Sequence, residues 1–309
     1  MSTIVALVGA TATGKSAVAL AAAEACGAEI VNADALQVYR GLDVGTAKPS
    51  REERQRVPHH LVDILDPRER FSAGEFSRRA RAVLAEVAAR GRPAIVVGGS
   101  GLYLRALWAG LAAIPDVDES ARRELEGRLR SEGLPILRRE LLAVDPATAA
   151  RIGRNDTQRI LRALTVALST GKPLSAWLTD AATENPAPKM RRFGLTLPRA
   201  VLYDRIAARV QRMTDGGWLS EVRGLLTAGV SRDAPALQAI GYSDWIRYLD
   251  GETSSRETVD AIVRATRRYA KRQETWFRRE PEIEWLSALD DASAIAALRK
   301  SLDVGEEER

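Results

Sequence analysis

Gly9-Ala10-Thr11-Ala12-Thr13-Gly14-Lys15-Ser16 is the stretch that decides the fold of this 309-residue chain. It follows the apolar run Ile4-Val5-Ala6-Leu7-Val8 and leads into an Ala-rich segment over 17–25. Strand, Gly-x-x-x-x-Gly-Lys-Ser, helix is the context in which a phosphate-binding loop works. Gly9 and Gly14 let the backbone turn around an anion without interference from a Cβ. Successive N–H groups and the helix N-terminus then face the phosphate oxygens. Lys15 adds a full charge, and the Ser16 hydroxyl suits a Mg²⁺ ion. The loop says polyphosphate. It does not say whether the phosphate is transferred, hydrolysed or discarded as a leaving group.

Outward from the loop, the first third alternates strands and helices. Strands are predicted at 3–8, 28–32, 60–65 and 93–97, and helices at 15–25 and 73–90. Ser72-x-x-Glu75 is a capping box for the second helix, and Gly91 with Pro93 ends it. Nearly continuous apolar strands between helices predict a parallel sheet covered on both faces. From 116 to 188 the pattern is helical, with segments at 118–131, 134–143, 146–152 and 156–170 punctuated by Gly133, Pro135, Pro146 and Gly153. Asp156 caps the last of these, and Gly171-Lys172-Pro173 stops it. Residues 180–191 read as a polar hinge, and Phe193–Leu197 as a return strand. Helices at 199–213, 217–228 and 255–279, a strand near 283–286 and a frayed tail from 303 complete the reading. The expected fold is α/β: a P-loop NTPase-like parallel-sheet core formed by 1–115 and 190–309, with a helical insertion domain at 116–189.

A hydrophobic content of 45% with 28% charged residues fits a globular protein with real cores. No apolar stretch reaches the roughly 18–20 residues that span a membrane. The first strand begins almost at once and leaves no room for a signal peptide, so cytoplasm is the expected compartment. One cysteine, Cys26, excludes an internal disulfide and a cysteine zinc cluster, and is expected to be a small buried hydrophobe. The net charge is +5. Residues 256–279 hold eight Arg/Lys against three Asp/Glu, so this one segment carries the whole excess.

Several residues could carry chemistry. Asp34 follows the second strand, where strand ends line the ligand crevice of an open α/β sheet. A carboxylate there can take a proton from a nucleophile approaching a bound phosphate ester, or serve as a cap or an outer partner of Mg²⁺. Gly98-Gly99-Ser100-Gly101 stands where a nucleotide hydrolase would carry a metal-binding Asp. The glycines suggest close approach of a bulky ligand, with Ser100 offering a hydroxyl, or else a bare tight turn. Arg159 and Arg162 share a face at the start of the helix after Asp156, as ligands or as a solvated surface. On the helix 255–279, Arg264, Arg268, Lys271, Thr275 and Arg278 form one stripe, and Val259, Ile262, Val263, Thr266, Ala270 and Phe277 another. The basic stripe is the footprint of a nucleic-acid backbone or a solvated basic face. Gln273 and Trp276 offer an amide and a stacking surface to unpaired bases. His59 and His60, adjacent on a strand, face opposite ways and cannot chelate one metal.

Together these blocks resemble the tRNA dimethylallyltransferase family, the bacterial isopentenyltransferases that prenylate N6 of the adenine 3′ of the anticodon. The resemblance rests on Gly9–Ser16, Asn32–Pro49, Pro58–Asp63, Gly98–Tyr103, Asn155–Arg159, Gly241-Tyr242 and Lys271–Arg278, in family order from residue 4 to about 286. It implies that Gly9, Ala10, Thr11, Ala12, Thr13, Gly14, Lys15 and Ser16 hold the diphosphate of dimethylallyl diphosphate with Mg²⁺ rather than ATP. Arg223 would reach that diphosphate. Lys15 and Asp34 would be catalytic, Asp34 taking the amine proton. Ser100, where the family usually has Thr, would assist at the amine. The tRNA anticodon stem-loop would be gripped by Asp34, Ala35, Leu36, Gln37, Ser100, Arg122, Gln158, Arg159, Ile160, Leu161, Arg162, Gln238, Gly241, Tyr242, Lys271, Arg272, Gln273, Trp276 and Arg278, making 116–189 a tRNA-binding domain. A monomer is the expected state. The chain departs from the family pattern at Ala35, commonly Ser, and at Gln238 and Ser243, near which an Arg is often found. Its single cysteine also rules out the zinc finger of many eukaryotic relatives.

From the residues alone, two other readings stand beside transfer. One is a P-loop kinase in which Asp34 activates a small alcohol; it would consume ATP. The other is a non-catalytic RNA-binding NTPase, which would bind tRNA without changing it.

Overall fold

The computed structural model describes residues 3–112, 114–115, 117–179 and 187–307. Most of the expected hinge, 180–186, lies outside them, as do residue 116 and the last two residues of the tail. The chain forms two compact units, one of residues 1–109 with 187–309, the other of 110–186.

The first unit is built on a six-stranded sheet: β1 (Ile4–Gly9), β2 (Glu29–Asn32), β3 (His59–His60), β4 (Ala94–Gly98), β5 (Arg191–Thr196) and β6 (Ile283–Ser287). Its order is β3-β2-β4-β1-β5-β6, and every pair is parallel. The strand predicted at 60–65 shrinks to two residues. Leu61 and Asp63 adopt φ of 59° and 57°, which turns the chain out of the sheet. Helices in this unit are α1 (Lys15–Cys26), α2 (Arg51–Arg56), α3 (Ala73–Ala89) and α4 (Gly101–Ala109). The second unit holds α5 (Glu119–Glu132), α6 (Leu134–Val144), α7 (Pro146–Arg151), α8 (Thr157–Thr170) and α9 (Leu174–Thr179). The first unit resumes with α10 (Arg199–Asp215), α11 (Trp218–Thr227), α12 (Tyr242–Leu249), α13 (Ser255–Phe277) and α14 (Asp291–Glu307). The tail expected to fray from 303 continues α14 to Glu307.

Alternation along β1 explains the layers. Val5 and Leu7 pack with α1, α10, α11, α12 and α14 on one face; Ala6 and Val8 pack with α3 and α4 on the other. Small residues Ala19, Ala22 and Ala23 let α1 lie close to the sheet. Cys26, at the end of α1, is half-buried rather than buried; burial pushes its thiol up, and Arg299 and Asp303 stand beside it. Helix α13 belongs to both layers. Ile262 and Ala270 join the first core, and Phe277, wholly buried, joins the second. Burial of Phe277 contributes about 1.5–3 kcal/mol. The second unit has its own core of Leu125, Leu137, Leu141, Ala149, Ile160, Ala163 and Leu164. Among the described residues, no helix is long and apolar enough to cross a membrane.

Candidate active site

Strands β1 and β4 lie side by side, but the helices that follow them, α1 and α4, cover opposite faces. The crevice at such a switch point is where open α/β sheets bind ligands. Here it is an open cleft at the ends of β1, β2 and β4.

The phosphate-type loop fills the gap between β1 and α1. Gly14 takes φ 93°, a left-handed conformation open to glycine, and Ala12 takes φ 65°. The Thr13 hydroxyl donates to the Ala10 carbonyl at 2.9 Å and Lys15 Nζ donates to the same oxygen at 2.8 Å, which closes the loop on itself. Among the described residues, no intramolecular acceptor meets the N–H groups of Ala12, Thr13 and Gly14. Burial and the nearby Arg209 lower the Lys15 ammonium to about 8, against the opposing pull of Asp34. Arg209, on α10, lines the same cleft and donates to the Thr46 carbonyl at 3.3 Å. Burial lowers its pKa as well. Two desolvated cations beside a row of N–H donors form a strong anion site.

Asp34 caps the turn that leaves β2. Its Oδ1 accepts from Leu36 N at 2.8 Å and from Gln37 N at 3.3 Å. Oδ2 has no hydrogen-bond partner among the described residues, and the side chain lines the cleft. The Ser100 hydroxyl, at the start of α4, accepts from Ala35 N at 3.1 Å, and Ser100 N donates to Ala33 O at 3.3 Å. The turn carrying Asp34 is therefore stitched to the turn carrying Ser100.

The glycines at the end of β4 do not make room for a ligand, as their composition suggested. A Cβ on Gly98 would overlap the Ala33 carbonyl; one on Gly99 would overlap the Gln273 amide; one on Gly101 would overlap the Trp276 ring. The protein's own backbone and α13 make the close approach.

No group of three or more His, Cys, Asp or Glu able to cage a cation occurs among the described residues. The Ser16 hydroxyl and the Asp34 carboxylate do line one cleft. That small oxygen set fits Mg²⁺, which keeps several waters and takes further oxygens from a phosphate ester.

Of the expected tRNA contacts, Lys271, Arg272 and Arg278 are exposed on α13, and Ala35, Leu36 and Gln37 lie partly exposed on the turn after Asp34. Gln37 donates from Nε2 to the Thr46 and Ala47 carbonyls, both at 3.2 Å. Gln238 is exposed and donates to the Arg232 carbonyl at 2.8 Å. In the second unit, Gln158, Arg159 and Arg162 are exposed on α8, and Arg122 pairs with Glu126 at 2.7 Å on α5.

Several expectations need correction. Arg223 is exposed on α11 and does not line the cleft, because α11 buries Trp218, Val222 and Leu225 and turns Arg223 away; Arg209 supplies the second cation. Tyr242 is 0% exposed, its hydroxyl donating to Glu221 Oε1 at 2.7 Å, and its neighbour Gly241 is buried. Ile160 is 0% exposed in the core of the second unit, and Leu161 packs against that core. Gln273 is buried, and the indole N–H of Trp276 is buried without a partner. The Gln273 amide is committed to Thr11 N and Gly99 O, while the Trp276 ring, expected as a stacking surface, is half-buried.

Arg209, Tyr269 and His59 line the cleft and were not singled out for it by the sequence. Tyr269 lies one turn before Gln273 on α13, and Arg209 one turn after Arg205 on α10. Neither position differs in sequence from an ordinary helix-surface residue, so no signal before folding marks them. His59 points to the cleft with Nδ1 tied to the Val57 carbonyl at 2.7 Å, while His60 joins Glu29 at 2.6 Å, on opposite sides as their adjacency requires.

A profile of the family described as IPP transferase matches residues 37–280. A tRNA dimethylallyltransferase of Geobacter metallireducens is 51% identical over 278 residues, 90% of each chain. The solved tRNA isopentenylpyrophosphate transferase of Bacillus halodurans superposes with a TM-score of 0.70 at 37% identity and covers 99% of both chains. A eukaryotic dimethylallyltransferase, solved acting on tRNA, gives a TM-score of 0.78 at 26% identity over 99% of this chain and 80% of its own.

Proposed function

This chain belongs to the IPP transferase family, and we propose that it is a tRNA dimethylallyltransferase. It moves a dimethylallyl group from dimethylallyl diphosphate to N6 of adenine-37, next to the anticodon, and releases diphosphate. The observation that carries this reading is one cleft joining a phosphate-binding loop, two desolvated cations and a carboxylate with a free oxygen.

The chemistry follows from the substrates. The exocyclic amine is a poor nucleophile, because its lone pair is delocalised into the ring. The allylic carbon compensates, since breaking its C–O bond builds a stabilised cation. The main task is to neutralise the departing diphosphate. Lys15, Arg209 and the N–H groups of Ala12, Thr13 and Gly14 stand ready for it without reorganisation. The Ser16 hydroxyl would hold Mg²⁺, which would supply further charge neutralisation when bound. As the N6–carbon bond forms, Asp34 Oδ2 takes the amine proton, and Ser100 orients the amine beside it. The adenine must leave the loop stack, at a cost of a few kcal/mol. Lys271, Arg272 and Arg278 on α13, with Arg122, Gln158, Arg159 and Arg162 of the helical unit, hold the stem-loop backbone while it does. The protein acts as a monomer in the cytoplasm, where its RNA substrate resides.

The test is incubation of unmodified tRNA with dimethylallyl diphosphate and Mg²⁺, followed by nucleoside mass spectrometry. Prenylated adenosine with stoichiometric diphosphate is the expected product. No product beside an active control enzyme, or turnover that requires ATP, would reject the reading.

A further inference from the structure

The inner face of α13 meets the Gly98–Gly101 turn residue by residue. Tyr269, Gln273 and Trp276, spaced by four and three, form one stripe of the helix. The Tyr269 side chain lies beside those of Ser100 and Gln273. Gln273, only 6% exposed, donates from Nε2 to Gly99 O at 2.8 Å and accepts at Oε1 from Thr11 N at 2.8 Å. The Trp276 ring lies over Gly101. Ser100 is thus held on both sides by contacts from one helix, and the same amide reaches across to the phosphate loop.

We infer that Gln273 is a positioning residue for the transfer: its amide sets the phosphate loop and the Ser100 turn at one fixed spacing. The inference rests on the reading of the cleft as a prenyl-transfer site. The choice of side chain is physically constrained. Thr11 N is a partly buried donor and Gly99 O a buried acceptor, and a primary amide satisfies both at once. A carboxylate could serve only Thr11 and would set its second oxygen against the Gly99 carbonyl. A shorter or apolar side chain would leave both backbone groups unpaired, which favours withdrawal of the loop from its anion-binding shape. The opposite face of α13 is basic and exposed, so the helix that meets RNA outside also sets the loop inside.

The experiment compares wild type, Gln273→Ala and Gln273→Glu. Binding of Mg²⁺ and pyrophosphate to the tRNA-free protein is followed by calorimetry from pH 5.5 to 8, tRNA binding by gel shift, and kcat and KM by tRNA prenylation. Gln273→Ala is expected to bind pyrophosphate at least tenfold more weakly and to lose at least tenfold in kcat, with tRNA affinity within twofold. Gln273→Glu should be as impaired at pH 8. It should regain several-fold in pyrophosphate affinity relative to wild type toward pH 5.5, where a protonated carboxyl can donate to Gly99 O and accept from Thr11 N like the amide. Gln273→Ala keeps Lys15 and should follow the wild-type pH dependence without such a relative recovery, and a merely structural role would not produce one. Should Gln273→Ala fail to fold, the pH profile of Gln273→Glu decides. Unchanged pyrophosphate affinity with a tenfold loss of tRNA binding, or a Gln273→Glu affinity whose ratio to wild type does not change with pH, would overturn the inference. A wild type that binds pyrophosphate but prenylates no tRNA would instead reject the transferase reading.

Discussion

At Asp34 the two carboxylate oxygens have separate duties. Oδ1 is committed to the N–H groups of Leu36 and Gln37, which fixes the side chain's angle, and Oδ2, without a partner among the described residues, is the oxygen proposed to take the proton. Asp34→Asn keeps the turn, because an amide oxygen accepts the same two bonds, but removes the base. It is expected to lower kcat by about 10²–10⁴ with little change in the KM for dimethylallyl diphosphate; steady-state prenylation assays check it. Lys15 carries a pH signature. Its ammonium is lowered to about 8 by burial first, then by Arg209. The sign is that of a depressed base: the burial penalty is full below about pH 8 and fades as pH rises towards the ordinary lysine value. Lys15→Met should therefore raise stability at pH 7 and leave it nearly unchanged at pH 10, read from urea midpoints. Pyrophosphate needs the charged form, so its affinity in wild type should fall as pH rises through about 8, and Lys15→Arg should flatten that fall. At this scale the sequence announced Lys15 and Asp34 through their motif and strand-end position. Arg209 was hidden, because an arginine on a helix reads as surface until packing shows otherwise.

Helix α13 is one element with two faces. Its composition made the basic stripe legible: eight Arg/Lys in the 24 positions of 256–279, six of them on α13 itself, is too strong a bias for a plain core helix. Its polar inner stripe was not legible, because Gln273 and Tyr269 look like surface residues until β4 and the phosphate loop are placed beneath them. The strand predicted at 60–65 failed for a related reason: apolar content was read, but the left-handed turns at Leu61 and Asp63 were not. The outer face is tested by charge. Lys271→Ala with Arg278→Ala should weaken tRNA binding across sequences and lower the salt slope by about one for each phosphate that is no longer neutralised. An unchanged slope in binding measured from 50 to 200 mM salt would remove these residues from the RNA backbone.

Across the whole molecule, each of the two units carries its own core, and the cleft residues belong to the first. Leu141→Ala, in the centre of the second core, should destabilise that unit by about 2–5 kcal/mol. Pyrophosphate affinity should stay within twofold, since no cleft residue lies in that unit; hydrogen exchange and calorimetry on the intact protein read the two effects separately. The α/β class, the phosphate loop, the helical character of 119–179 and the basic helix were legible before any folding, because each is written in local periodicity, glycine placement or charge density. Folding alone reveals that Arg209 and not Arg223 lines the cleft, that the Gly98–Gly101 turn is filled by α13, and that Gln273 joins two loops 262 and 174 residues away. Those facts depend on which side chains a fold brings together across long separations, and neither periodicity nor composition records them. The phosphate loop spoke for polyphosphate from its eight residues; what surrounds the phosphate was settled by packing.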